Sequence, residues 1–133
     1  MIVFLDTCPV IYFVEQPPLW GPKASACLAV LRAAGDQFAV SDLVRMECLV
    51  GPLKSGDSIV LSNFQAFFTG PGVLVLPITA AVCDRAAAIR ANHGFKPLDS
   101  LHLAAAAEHG CQLFLTNDAR LSSFPDIPVE VLS

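Results

Sequence analysis

Short, uninterrupted apolar runs alternate along this chain with longer segments of helical periodicity, and this alternation constrains the fold more than any other feature. The run Ile2–Leu5 contains no polar residue, which is typical of a strand buried on both faces of a sheet. The other predicted strands are Phe38–Val40, Val73–Leu76, Leu113–Leu115 and, more weakly, Val129–Val131. Because strands separated by helices form βαβ crossovers, the sequence predicts an α/β fold with a mainly parallel sheet covered on both faces.

Capping residues, prolines and glycines mark the helices between these strands. The predicted helices begin at Thr7 or Cys8, Lys23, Ser41, Asp57 or Ser55, Thr79 and Pro97. The helix that follows Ser41 is predicted to end at Gly51-Pro52, and the one that begins at Lys23 is predicted to end at Gly35. Since no linker, repeat or low-complexity stretch interrupts the pattern, residues 1–133 are interpreted as one domain.

The composition excludes some classes of function and leaves others open. Apolar residues make up 54% of the chain and charged residues 15%, which excludes an intrinsically disordered protein. The formal net charge is −4, and this argues against strong non-specific nucleic-acid binding, which depends on neutralising phosphates with Lys and Arg. A divalent cation that bridges protein carboxylates to a phosphate remains compatible with that charge.

The sequence also predicts a location for the protein. No stretch reaches the ~18–20 consecutive apolar residues that a membrane-spanning helix needs. The segment Met1–Leu5 has no basic flank and is followed at once by Asp6, unlike a secretory signal. The five cysteines form an odd set without the spacing of a zinc or redox site. We therefore expect a cytoplasmic protein with reduced thiols and no membrane contact.

Four acidic residues are predicted to gather at one edge of the sheet. Asp6 follows the first strand directly, and Asp118 follows the fourth strand by three residues. Glu47 lies on the helix after the second strand, beside its apolar positions, and Asp99 lies in the first turn of the helix that begins at Pro97. Because parallel sheets bind ligands beyond the carboxyl ends of their strands, we expect these acids to form one site.

Each acid has an ordinary structural explanation when it is taken singly, as a cap, a turn residue or a solvated helix residue. Together, however, the acids would repel one another. Two unit charges ~4 Å apart repel by about 4 kcal/mol at an effective dielectric near 20. An all-oxygen ligand set without cysteine or paired histidine suits the hard cations Mg²⁺ or Mn²⁺, which activate water for phosphodiester cleavage.

Four segments, in this order, resemble the motifs of one known family. They are Val3–Thr7, Ser41–Pro52, Pro97–Ala106 and Phe114–Leu121, and together they span nearly the whole chain. On these residues the sequence resembles PIN-domain proteins of the VapC-like toxin ribonuclease type, found in bacterial and archaeal toxin–antitoxin pairs. The resemblance implies a single PIN-like domain over residues 1–133 with a three-layer α/β/α sandwich.

The resemblance further implies a metal-dependent endoribonuclease, in which metal-activated water cleaves RNA phosphodiesters. Asp6, Glu47 and Asp99 match the three acids of the family's Mg²⁺ or Mn²⁺ site, and Asp118 matches a fourth that is less uniformly required. Thr116 matches a hydroxyl position that orients an acid or a water. The implied catalytic residues are therefore these five, and the implied metal ligands are the four acids.

The same resemblance implies partners. They are an RNA substrate, a cognate antitoxin protein and a second copy of the chain in a homodimer. His102, three residues after Asp99, is implied to have a structural or orienting role rather than to act as a base. The alternative left open by the low basic content is a catalytically inactive PIN-like module that binds RNA or protein.

Overall fold

A computed structural model describes all 133 residues and contains a five-stranded sheet. Its strands are β1 (Ile2–Leu5), β2 (Gln37–Ser41), β3 (Val73–Leu76), β4 (Leu113–Thr116) and β5 (Val129–Val131). They lie in the order β3-β2-β1-β4-β5, and every neighbouring pair is parallel. From β1 the chain adds β2 and β3 on one side of the sheet and then β4 and β5 on the other. Strand β1 is therefore central and lies between β2 and β4.

Six helices flank this sheet. They are α1 (Thr7–Glu15), α2 (Trp20–Ala33), α3 (Asp42–Ser55), α4 (Ser58–Thr69), α5 (Ala80–His93) and α6 (Pro97–Glu108). Helix α1 packs against α2 and α3, whereas α5 packs mainly against α6. The parallel sheet between helices confirms the predicted α/β/α class. No helix is both long and apolar enough to cross a membrane.

The inner strands form the centre of the core, as their continuous apolar sequence predicts. Val3, Phe4 and Leu5 of β1 are completely buried, as is Phe114 of β4. The rings of Phe4 and Phe114 stack with their centroids 5.2 Å apart, which fixes the two central strands against each other. The outer strands β3 and β5 are only partly buried, and β5 is also the strand whose sequence signal is weaker.

Two predicted helix boundaries were wrong, and so was the predicted cap of α1, which was Thr7 or Cys8. Helix α3 continues through Gly51-Pro52 to Ser55, because Pro52 lies in the last turn and Gly51 has no Cβ to clash with the proline ring. Helix α2 begins at Trp20 rather than Lys23. The N-cap of α1 is Asp6, whose carboxylate accepts a hydrogen bond from the backbone N–H of the next residue.

The turn between α1 and α2 is tightly packed. Gln16 and Leu19 both have left-handed backbone conformations, with φ of 53° and 72°. Gly21 lies directly against Gln16, so a Cβ added at residue 21 would stand 2.6 Å from the Gln16 Cα. Glycine is therefore needed at residue 21 for the close approach of α2 to the end of α1.

Candidate active site

Asp6 lies at the carboxyl end of β1, and its side chain is nearly buried, with 8% of the residue exposed. One carboxylate oxygen, Oδ1, accepts a hydrogen bond from the Thr7 backbone N–H at 2.8 Å, because Asp6 caps α1. The other, Oδ2, accepts a hydrogen bond from the Thr116 hydroxyl at 2.7 Å. Both oxygens are thus held in place by donors from the protein.

Thr116, the last residue of β4, links the two central strand ends. Its buried hydroxyl donates to Asp6 and accepts a hydrogen bond of 3.1 Å from the backbone N–H of Asp118. One hydroxyl therefore orients the carboxylate at the end of β1 and also shapes the loop that carries Asp118.

Glu47 lies on the second turn of α3, with 28% of its side chain exposed. Its Oε1 accepts two hydrogen bonds of 2.7 Å, one from the Thr7 hydroxyl and one from Nε2 of His102. The hydrogen bond from His102 lowers the pKa of Glu47, burial opposes this, and the bond from Thr7 adds to the lowering. Its second oxygen, Oε2, has no hydrogen-bond partner within the protein.

Asp99, in the first turn of α6, is half-buried and makes no hydrogen bond or ion pair through its side chain. Burial raises its pKa, and the negative charges of Asp6 and Asp118 raise it further. Asp99 lines one open cavity of about 440 Å³ together with Glu47 and Asp118. The repulsion between neighbouring acids that the sequence predicts therefore affects the pKa of Asp99.

Asp118 faces the same cavity but is neutralised by a neighbour. Nε and Nη2 of Arg120 donate to its carboxylate at 3.0 and 2.6 Å, forming a two-pronged ion pair. This bonding lowers the pKa of Asp118. Arg120 remains largely exposed at the rim of the cavity, where Lys96 supplies a second positive charge.

The structure thus brings the four predicted acids to one edge of the sheet. No group of three or more His, Cys, Asp or Glu side chains is arranged so that it could hold a metal ion. Glu47 and Asp118 are engaged by His102 and Arg120 instead. The donor chemistry nevertheless fits a hard divalent cation, since every acid offers oxygen and since positive charge would offset the repulsion felt at Asp99. To hold such an ion, at least three of these side chains would have to lie closer together than they do here.

His102 contributes more to this site than its sequence position indicates. The spacing of three residues places it on the same side of α6 as Asp99, but it does not reveal which residues of other elements it meets. In the structure His102 is 2% exposed and bridges towards two acids, with Nε2 at 2.7 Å from Glu47 and 4.0 Å from Asp6.

Comparisons with known proteins identify the family of this chain. The family model described as PIN domain matches residues 3–127. Ribonuclease VapC19 of Mycobacterium tuberculosis is 34% identical over 109 residues, which cover 80% of this chain and 84% of that protein.

Solved structures of toxin–antitoxin proteins share the fold. VapBC2 from Rickettsia felis, bound to a DNA fragment from its promoter, matches with a TM-score of 0.82 at 19% identity over all of both chains. The sarcin-ricin loop cleaving toxin VapC20 of Mycobacterium tuberculosis matches with a TM-score of 0.74 at 17% identity, over 95% of this chain and 98% of that one.

Proposed function

The chain belongs to the PIN domain family and is a homologue of VapC ribonucleases, and we propose that it is a divalent-metal-dependent endoribonuclease, the toxin of a toxin–antitoxin pair. The observation that carries the proposal is the convergence of Asp6, Glu47, Asp99 and Asp118 from four separate segments at one sheet edge. Residues 1–133 would act as one PIN-like domain.

In this proposal the four acids hold Mg²⁺ or Mn²⁺. A cation bound there would lower the pKa of a water molecule and offset negative charge on the scissile phosphate. Thr116 keeps the Asp6 carboxylate oriented through its 2.7 Å hydrogen bond. Arg120 and Lys96, which line the same cavity, supply the positive charge that an RNA phosphate needs at an otherwise acidic site.

Cleavage of an RNA panel with Mg²⁺ or Mn²⁺ tests the proposal. Asp6→Asn and Asp99→Asn should each lower the cleavage rate by more than ~100-fold, since a lost ligand costs at least as much as a lost supporting residue. Asp84→Asn is the matched control, because Asp84 is exposed on α5 and has no partner. Full activity in the Asp6 and Asp99 variants would reject this site.

The alternative is an inactive PIN-like module that binds RNA or protein without cutting it. The observation that favours it is the engagement of Glu47 by His102 and of Asp118 by Arg120, with no group of three ligands arranged for an ion. A calorimetric titration with Mn²⁺ separates the two. Absence of binding, together with intact partner binding, would support the module, whereas metal-dependent cleavage would exclude it.

The proposed protein partner is a cognate antitoxin. A structure similar in fold is that of a VapBC toxin–antitoxin complex, and a net charge of −4 suits a partner with a basic segment. All five cysteines are unpaired, as expected for a toxin that acts in the cytoplasm. Expression of this chain alone should halt growth, Asp6→Asn should abolish the effect, and co-expression of the antitoxin should restore growth.

We also propose that the toxin is a homodimer formed through α3. Met46, Val50 and Leu53 lie at helical spacing on one face of α3 and are 48%, 50% and 64% exposed. Asp42 and Arg45 border this face and pair with each other at 3.0 Å, so the edge of the apolar face carries no net charge that would oppose a second copy across a twofold axis.

Light scattering after size exclusion tests the dimer. Val50→Glu should give a monomer because it buries an unpaired charge at the interface. Val30→Glu, at an apolar position on α2 that is 70% exposed, should leave the dimer intact. Monomeric wild-type chain at the highest workable concentration would refute the proposal.

A further inference from the structure

His102 is a deeply buried polar residue that the proposed mechanism does not use as a ligand. Only 2% of it is exposed, and one of its ring nitrogens, Nε2, lies 2.7 Å from Oε1 of Glu47. The aromatic ring of Phe4 lies on its apolar side, with the centroids 6.3 Å apart. Because the imidazole of His102 is buried and has one close partner, their contact restricts the positions of both side chains.

The position of the ring proton follows from the surroundings. The second ring nitrogen, Nδ1, is buried and has no hydrogen-bond partner. A proton on Nδ1 would be a buried donor without an acceptor, which costs ~1–3 kcal/mol. The Glu47 carboxylate can only accept, so the 2.7 Å contact requires a proton on Nε2, and His102 donates a hydrogen bond to Glu47.

Thr7 donates to the same carboxylate oxygen. Its hydroxyl lies 2.7 Å from Oε1 of Glu47, so this oxygen accepts two hydrogen bonds, one from α1 and one from α6. Oε2 of Glu47 accepts none within the protein. Two donors from different elements hold the carboxylate in place through Oε1. Only Oε2 remains free to bind a ligand.

We propose that His102 is a positioning residue that makes Glu47 a ligand through one oxygen only, and that it thereby favours Mg²⁺ and Mn²⁺ over Ca²⁺. Ca²⁺ accepts six to eight oxygens and often takes both oxygens of a carboxylate, whereas Mg²⁺ requires a compact octahedral set. An oxygen already bonded to two donors is not available for the second contact. The inference rests on the proposed function, because it concerns the same site.

Direct titration of Mn²⁺ and Ca²⁺ into the full chain tests it, without reference to catalysis. The ratio of the Ca²⁺ to the Mn²⁺ dissociation constant should fall by ~10-fold or more in His102→Leu, the range expected for loss of a supporting hydrogen bond. His102→Gln should restore most of the ratio, because its amide N–H can take the place of Nε2. His102→Asn should not, because its shorter amide matches Nδ1. Circular dichroism confirms that each variant is folded.

Each outcome of this titration either supports or overturns the inference. An unchanged ratio in His102→Leu, or equal ratios in His102→Gln and His102→Asn, would overturn the inference. In a Glu47→Gln background, loss of His102 should have no further effect on the ratio, and an undiminished effect there would also overturn it. If the wild-type chain binds neither cation, the proposed function fails together with the inference. If it binds Mn²⁺ and cleaves RNA while the ratio stays constant, only the inference fails.

Discussion

Replacing Thr116 with valine removes a single hydroxyl and preserves the shape of a fully buried side chain. That hydroxyl donates to Asp6 at 2.7 Å and accepts from the Asp118 backbone N–H at 3.1 Å. A hydrogen bond to a charged group contributes ~1.5–3 kcal/mol, and a backbone N–H deprived of its acceptor adds up to about 1 kcal/mol where water partly reaches it. We therefore expect Thr116→Val to lower the free energy of unfolding by roughly 2–4 kcal/mol.

Urea denaturation followed by circular dichroism measures this free energy. Thr116→Ser is the matched control, since it keeps the hydroxyl and loses one methyl group, at a cost of ~1 kcal/mol. In an Asp6→Ala background the valine substitution should cost only about 1 kcal/mol, because the carboxylate acceptor is already gone. A valine variant within about 0.5 kcal/mol of wild type, or one no worse than the serine variant, would refute the reasoning.

Three further predictions concern stability, measured by urea midpoint. Gly21→Ala should destabilise strongly, because its Cβ would lie 2.6 Å from the Cα of Gln16. Ser41→Ala should cost ~1 kcal/mol, because the Ser41 hydroxyl caps α3 through the Val44 N–H at 3.3 Å. Asp99→Asn should stabilise the metal-free chain at pH 7. Burial and the neighbouring acids raise the pKa of Asp99 in the folded chain, and its ionised form therefore destabilises the fold. The gain should vanish as the pH falls below the ordinary value of 3.8.

The strands were predictable because each is a short, mostly apolar run bounded by turn or capping residues. Strands β1 and β3 begin and end at the predicted residues, and the caps Ser41 and Thr79 were also correct. The end of α3 was not predictable from Pro52, because the tolerance of a last-turn proline depends on the residue before it. The rule that a proline ends a helix therefore fails where the preceding residue lowers the steric cost of the proline ring.

Within the site, the order along the chain predicted the sheet edge at which Asp6 and Asp118 lie. The partners of these acids could not be predicted in the same way. Nothing in the sequence relates Glu47 to His102, since their contact depends on the packing of α3 against α6. Likewise, the ion pair of Arg120 with Asp118 depends on side-chain orientations that the sequence does not determine.

The placement of β4 beside β1 has a consequence for how the protein is made. Thr116 is separated from Asp6 by 110 residues, and the ribosome synthesises β4 long after β1. A growing polypeptide therefore contains the first acid long before it contains either its hydroxyl partner or Asp118. The candidate site can therefore take its final form only after residues 113–118 have been synthesised.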